Sequence, residues 1–203
     1  MKNDYLKYFK PSVLIGLVVF LTIGVITIKS NFAISISVFA VITFVLTTIS
    51  TKLWNKKWIN WMFWIDDISG CYEGILRYKY IDNGEQKTGE LKHIKIINQN
   101  GYRISISSFT YKVDGSPSSQ SENIGVFVKK TVDEKHFQLV YNYLNNGSTE
   151  QGFPPYWGTE VVKIMHHGDA KILSGNYFTD RNPQTKGDYV EMKWVSNDLN
   201  HKF

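Results

Sequence analysis

No charged residue occurs between Lys10 and Lys29, a run of 18 positions, or between Lys29 and Lys52, a run of 22. Each run is long enough to cross the hydrocarbon core of a bilayer as a helix, which excludes a purely soluble chain. The first run follows Lys2, Lys7 and Lys10 as a signal peptide would. No small-residue cleavage pattern follows Ile28, however, and the second run begins within three residues, Lys29, Ser30 and Asn31. The expectation is a transmembrane helical hairpin over residues 1–52, with spans at Ser12–Ile28 and Phe32–Thr51 and a tight turn between them. Three lysines precede the first span, three (Lys52, Lys56, Lys57) follow the second, and one lies in the turn. The positive-inside bias then puts both termini of a two-span membrane protein in the cytoplasm.

Charge follows the same division. Residues 1–60 hold seven lysines and one aspartate, a net +6, whereas residues 61–203 hold 16 basic and 17 acidic residues, a net −1. The basic balance therefore belongs to the membrane flanks and is no footprint of a DNA or RNA polymer, which calls for a basic stripe on the domain itself. Trp54, Trp58, Trp61 and Trp64 follow the second run at helical spacing. With Lys56 and Lys57 they mark residues 53–69 as a Trp-rich interfacial linker.

From Gly70 onward the period of the pattern falls to two. Eight strands are expected at Cys71–Ile81, Lys87–Asn98, Tyr102–Val113, Asn123–Lys130, His136–Leu144, Trp157–His166, Ala170–Tyr177 and Asp188–Val195. Asn83-Gly84, Asn100-Gly101, Asp114-Gly115, Asn146-Gly147 and the Asn182–Gly187 segment punctuate them. With no helical window to cover a sheet face, the fold class is all-β: a small antiparallel eight-stranded barrel over residues 70–203, a cytoplasmic ligand-binding domain behind the hairpin. A barrel of this size either fills itself with side chains or holds one small ligand. Tyr72, Gly74, Leu76, Tyr78 and Tyr80 share one face of the first strand, and Phe137, Leu139, Tyr141 and Tyr143 one face of the fifth. Inward tyrosines bring hydroxyls that need partners, which argues against a wholly dry interior. Ser118, Ser119, Ser121, Asn142, His166, His167, Thr179 and Arg181 lie near strand ends.

Catalysis finds little support. His166 and His167 are adjacent and point to opposite faces of a strand, so they cannot share one metal ion. Cys71, the single cysteine, excludes an intramolecular disulfide and reads as a buried structural thiol. No phosphate-binding glycine loop or paired carboxylates occur, so the chain reads as a non-enzyme without a metal or cofactor. The segment from Gly175 through Tyr177, Thr179 and Arg181 to Gly187 carries a ring, a hydroxyl and a guanidinium, a set suited to a base and a phosphate. On spacing alone, an ion pair of Arg181 with Asp180 or Asp188 fits equally well.

The chain resembles the CBASS antiphage effectors in which two transmembrane helices precede a minimal β-barrel, the two-transmembrane, β-strand-rich effectors associated with CD-NTases. The resemblance covers essentially the whole chain. It rests on the helical hairpin, on Gly70-Cys71-Tyr72-Glu73-Gly74, on the serine cluster Ser116–Ser121, and on Leu139-Val140-Tyr141-Asn142-Tyr143 with Asn145-Asn146. His167-Gly168 and the Leu173–Thr179 segment with Arg181 and Gly187 complete it. Pro117 within the serine run and Asp169 beside His167-Gly168 depart from the pattern. The resemblance implies a receptor and effector in one chain: the barrel binds a cyclic dinucleotide second messenger, and homo-oligomerisation of the hairpins then disrupts the bacterial inner membrane, causing abortive infection. Tyr72, Ser118, Ser119, Tyr141, Tyr143, His167, Tyr177, Thr179 and Arg181 are the expected ligand-binding residues, with the serine cluster as a lid. The competing reading from the residues is a membrane-tethered, lipocalin-like barrel for a lipid or metabolite, which needs a mostly aliphatic pocket.

Overall fold

A computed structural model describes residues 5–32, 37–148, 152–167 and 170–203; the side chains of Phe32, His167 and Glu191 are outside the description. The chain divides into two units, one formed by residues up to Asp67 together with Gln99–Arg103, the other by Ile68–Asn98 and Ile104–Phe203.

In the first unit, α1 runs from Pro11 to Phe32 and is long and apolar enough to cross a membrane. Proline at its first position lacks only an amide that would go unpaired anyway. Phe20 and Ile23 are 73% and 61% exposed, as in a helix whose solvent is lipid. Lys29, Ser30 and Asn31 do not form the expected turn. They belong to the last turns of α1, where Ser30 Oγ donates back to the carbonyl of Thr27 and no glycine or proline stops the helix. The second helix, α2 (Val38–Thr48), is capped by Ser37, whose side chain accepts from the amide of Ala40, and continues as a π-helical turn at Ile49–Leu53. Its apolar length, Val38–Leu53, is roughly 24 Å at 1.5 Å per residue, shorter than a bilayer core. The tryptophan spacing does not produce a continuous helix. Turns and a short 3-10 helix at Asn60–Met62 hold this segment, with Trp54 buried and Trp58 and Trp61 exposed. Residues flanking the helices close on one another: the amide of Lys10 donates to the carbonyl of Met62, and that of Trp64 to the carbonyl of Tyr8.

The second unit is a closed antiparallel barrel of eight strands in sequence order. They are β1 (Gly70–Asp82), β2 (Glu85–Gln99), β3 (Ile104–Tyr111), β4 (Pro117–Lys130), β5 (Phe137–Asn145), β6 (Tyr156–His167), β7 (Ala170–Thr179) and β8 (Lys186–Ser196). All eight expected strands are present. The serine cluster differs from expectation, since Pro117–Ser121 opens β4 rather than forming a loop. Asp82 pairs directly with Glu85, leaving a two-residue turn in which Asn83 and Gly84 both have positive φ, the backbone that Asn-Gly favours. Closure is made by β1 on β8, from Cys71↔Ser196 to Lys79↔Lys186, with register shifts in β1. Another shift lies between Asn123 and Gly125 of β4. Such bulges bend strands and help a sheet curl shut.

Alternation sorts the interior into zones. Tyr72, Ile97, Ile106, Leu139, Val162, Ile164, Leu173 and Met192 are essentially inaccessible and fill one end. On the outer face, Cys71, Ile94, Ile96 and Phe109 form a second buried cluster. The C-terminal tail covers it, with the rings of His201 and Phe203 each 5.3 Å from that of Phe109. This is why His93–Ile97 of β2 is buried on both faces.

Candidate functional site

The other end of the barrel is open. A cavity of about 430 Å³ lies between the ends of β1, β3, β5 and β7 and the beginnings of β2, β4, β6 and β8, within the range of small-molecule sites. Its wall is mostly aromatic and polar, with Tyr78, Tyr80, Tyr143, Tyr156, Tyr177 and Tyr189 contributing rings. Two of these rings lie over glycines of the neighbouring strand. Tyr78 is paired with Gly89 and Tyr143 with Gly158, and a Cβ at either glycine would run into the ring. The absence of a side chain lets each ring lie flat along the wall.

The floor is a charged cluster. Nζ of Lys95 donates to Oε2 of Glu160 at 2.8 Å and to Oγ of Ser108 at 2.7 Å, with both charged side chains essentially inaccessible. Glu160 also accepts from the hydroxyls of Tyr141 and Tyr189, the latter at 2.7 Å on Oε1. Lys95 lies over the Tyr189 ring, 4.7 Å from its centroid. Burial lowers the Lys95 pKa while Glu160 opposes the shift, and burial, reinforced by Glu160, pushes the Tyr141 and Tyr189 hydroxyls well above their ordinary range. Each polar side-chain atom of this cluster has at least one hydrogen-bond partner within it, and such pairing is the condition for keeping an ion pair in a barrel interior. Beside it, Nδ1 of His93 is 3.0 Å from Oγ1 of Thr110, while Nε2, also buried, has no partner among the described residues.

The mouth has the opposite character. Arg181 lies over the rings of Phe153 and Tyr156, 5.1 and 5.5 Å from their centroids, an arrangement in which aromatic faces stabilise the guanidinium. Neither Arg181 nor Lys112, also on the wall, has an ion-pair partner among the described residues. The ion pair with Asp180 or Asp188 that the sequence leaves open is therefore not formed. Asp180 instead accepts from the amide of Trp157 at 2.8 Å. The hydroxyls of Tyr143 and Tyr177 make no hydrogen bond among the described residues, and burial pushes both pKa values up.

Of the nine expected ligand-binding residues, Ser118, Ser119, Tyr143, Tyr177 and Arg181 share this wall. Tyr141 lies behind it, holding Glu160. Tyr72 is elsewhere: its hydroxyl donates to the carbonyl of Ile68 at 2.8 Å, in the filled end of the barrel. Thr179 is structural, its Oγ1 accepting from the Thr185 amide at 3.1 Å to close the β7–β8 connection. The side chain of His167 is outside the described residues, as are Gly168 and Asp169. Sequence reasoning missed His93, Lys95, Glu160 and Tyr189. The signal was parity: Lys95 alternates in register with buried Ile97, and Glu160 with buried Val162 and Ile164, so both charges sit on inward positions.

Comparison with family models, with curated proteins and with solved structures returns no match.

Proposed function

We propose that this chain is a membrane-anchored receptor and effector of the CBASS type, whose barrel binds a cyclic dinucleotide. The observation that carries the reading is the cavity's chemistry: several tyrosine rings on the wall, with Arg181 and Lys112 at the mouth and neither in an ion pair among the described residues. Rings stack on bases, and guanidinium and ammonium groups suit phosphates. Among the described lining residues only Leu76 and Leu91 are aliphatic, which disfavours a lipid carrier. In this reading the uncharged run before Lys52 supplies a second span after α1, the flanking lysines hold both termini in the cytoplasm, and ligand binding drives homo-oligomerisation. Assembly is needed because α1 carries no charged residue before Lys29 that could line a water path, so a lone protomer does not permeabilise a membrane.

The chain binds, assembles and perturbs the bilayer without catalysing a reaction. A ligand shifts the balance only by binding the assembled form more tightly, and moving it from about 1:99 to 99:1 takes roughly 5.5 kcal/mol of differential affinity, a modest demand when several sites share it. The test is expression of the full chain with and without a cyclic-dinucleotide synthase, measuring dye uptake and crosslinked oligomer size. Uptake and oligomers rising together with the synthase support the reading. Permeability rising while the chain stays monomeric contradicts it.

A further inference from the structure

We infer that the cavity floor reads an uncharged hydrogen-bonding edge of the bound molecule, of the kind a nucleobase carries, through Nε2 of His93. The inference rests on the cyclic-dinucleotide reading and adds the direction in which such a ligand lies. His93 is 2% exposed yet lines the cavity, and its ring is fixed by the Thr110 contact and by the Tyr189 ring, 5.0 Å away between centroids. Nε2 is left without a partner among the described residues. A buried polar atom without a partner is a standing loss of free energy that a ligand group in the cavity removes.

The charge layout says which part of a ligand reaches it. Burial and the neighbouring Lys95 hold the imidazole neutral, so one ring nitrogen donates and the other accepts. The Thr110 hydroxyl serves Nδ1 in either role, leaving Nε2 the complementary one. Lys95 is occupied by Glu160 and Ser108, and the Glu160 carboxylate is part of the cavity lining, so an anion pushed to the floor meets like charge. Phosphate therefore stays at the mouth with Arg181 and Lys112, and a neutral base edge goes down to His93. Arg181 sets affinity for every member of the ligand class, and His93 sets preference among bases.

The test titrates the detergent-solubilised full chain with cyclic di-AMP, cyclic di-GMP, cyclic di-UMP and the corresponding mononucleotides. His93→Asn keeps a polar atom near the Nδ1 position for Thr110 and removes the group at Nε2, whereas His93→Gln restores a polar atom near Nε2. Expected are a base preference in the wild type, its flattening in His93→Asn with about a 10- to 100-fold loss for the best ligand, recovery in His93→Gln, and a uniform loss in Arg181→Ala. Should the variants unfold, the ring 15N resonance of Nε2 in labelled wild-type chain decides. Its shift on ligand addition supports the inference, and a resonance that does not move overturns it. Cyclic dinucleotides bound with unchanged base preference in folded His93→Asn overturn the inference and leave the receptor reading standing. Mononucleotides bound through His93 while cyclic dinucleotides are refused do the reverse. Binding of none of the probes overturns both.

Discussion

Nζ of Lys95 lies 2.8 Å from Oε2 of Glu160 at the centre of the barrel, with neither side chain appreciably accessible to solvent. β2 and β6, far apart in sequence, are thus joined across the interior by one ion pair that also organises Ser108, Tyr141 and Tyr189. Removing one partner strands the other charge in a poorly solvated place. Lys95→Met and Glu160→Gln are each expected to lower the unfolding free energy by about 3–5 kcal/mol. The double variant should cost clearly less than the sum, because the two residues share one interaction. Denaturant unfolding of the four proteins measures this.

Acid should weaken the barrel through His93. Burial, then Lys95, hold its folded pKa well below the ordinary value of 6.5, so below that value the unfolded chain takes up a proton that the folded one refuses. Stability from this group is complete above pH 6.5 and falls below it by about 1.4 kcal/mol per pH unit until the folded pKa is reached. In His93→Gln that part of the slope should vanish, as read from unfolding midpoints between pH 4 and 8.

Alkali should act through the tyrosines. Burial raises the folded pKa of Tyr141, Tyr143, Tyr177 and Tyr189 above the ordinary value of 10.0. Their contribution is present below pH 10 and lost as pH rises past it, at about 1.4 kcal/mol per pH unit for each tyrosine that ionises only on unfolding. Lys95, whose pKa burial lowers, opposes this by at most one proton. Unfolding midpoints from pH 9 to 11 should drop steeply, and less steeply in Tyr177→Phe.

The glycines under the rings make a geometric prediction. A Cβ at Gly158 would sit 2.7 Å from Cε1 of Tyr143, closer than packed carbons approach. Gly158→Ala should cost about 1–3 kcal/mol by overpacking and push the Tyr143 ring into the cavity. Adding Tyr143→Leu should relieve part of the loss, a coupling that a double-mutant cycle measures.

The barrel was legible in the sequence because its determinants are local. Period-two alternation and Asn-Gly or Asp-Gly turns placed all eight strands, and the inward tyrosines of β1 and β5 were read from parity alone. The floor was not legible in the same way. Lys95 and Glu160 look like solvent-facing charges until each is known to face the other across the interior, and that pairing depends on barrel closure. Outward Ile94 and Ile96 are buried in a cluster with Phe109, whose ring meets those of His201 and Phe203 in the returning tail, a contact no local pattern announces. Tyr72 was misplaced for a related reason: it shares a face with Tyr78 and Tyr80, but the barrel is filled at its end and open at theirs. The turn between the apolar runs was read from Lys29, whereas one charge near a helix end does not stop a helix, and α1 continues to Phe32.

We propose that the open end of the barrel binds a cyclic dinucleotide with Arg181 at its phosphate. The most direct measurement is the thermal midpoint of the detergent-solubilised full chain, with and without each of a panel of cyclic dinucleotides, for wild type and Arg181→Ala. Ligand at about 100 times its Kd stabilises the folded state by about 2.7 kcal/mol, a shift of several degrees. At least one cyclic dinucleotide should raise the wild-type midpoint by that order, and Arg181→Ala, measured from its own ligand-free midpoint, should lose most of the shift. A panel that leaves the wild-type midpoint unmoved, or an Arg181→Ala chain that responds as the wild type does, would contradict the proposal.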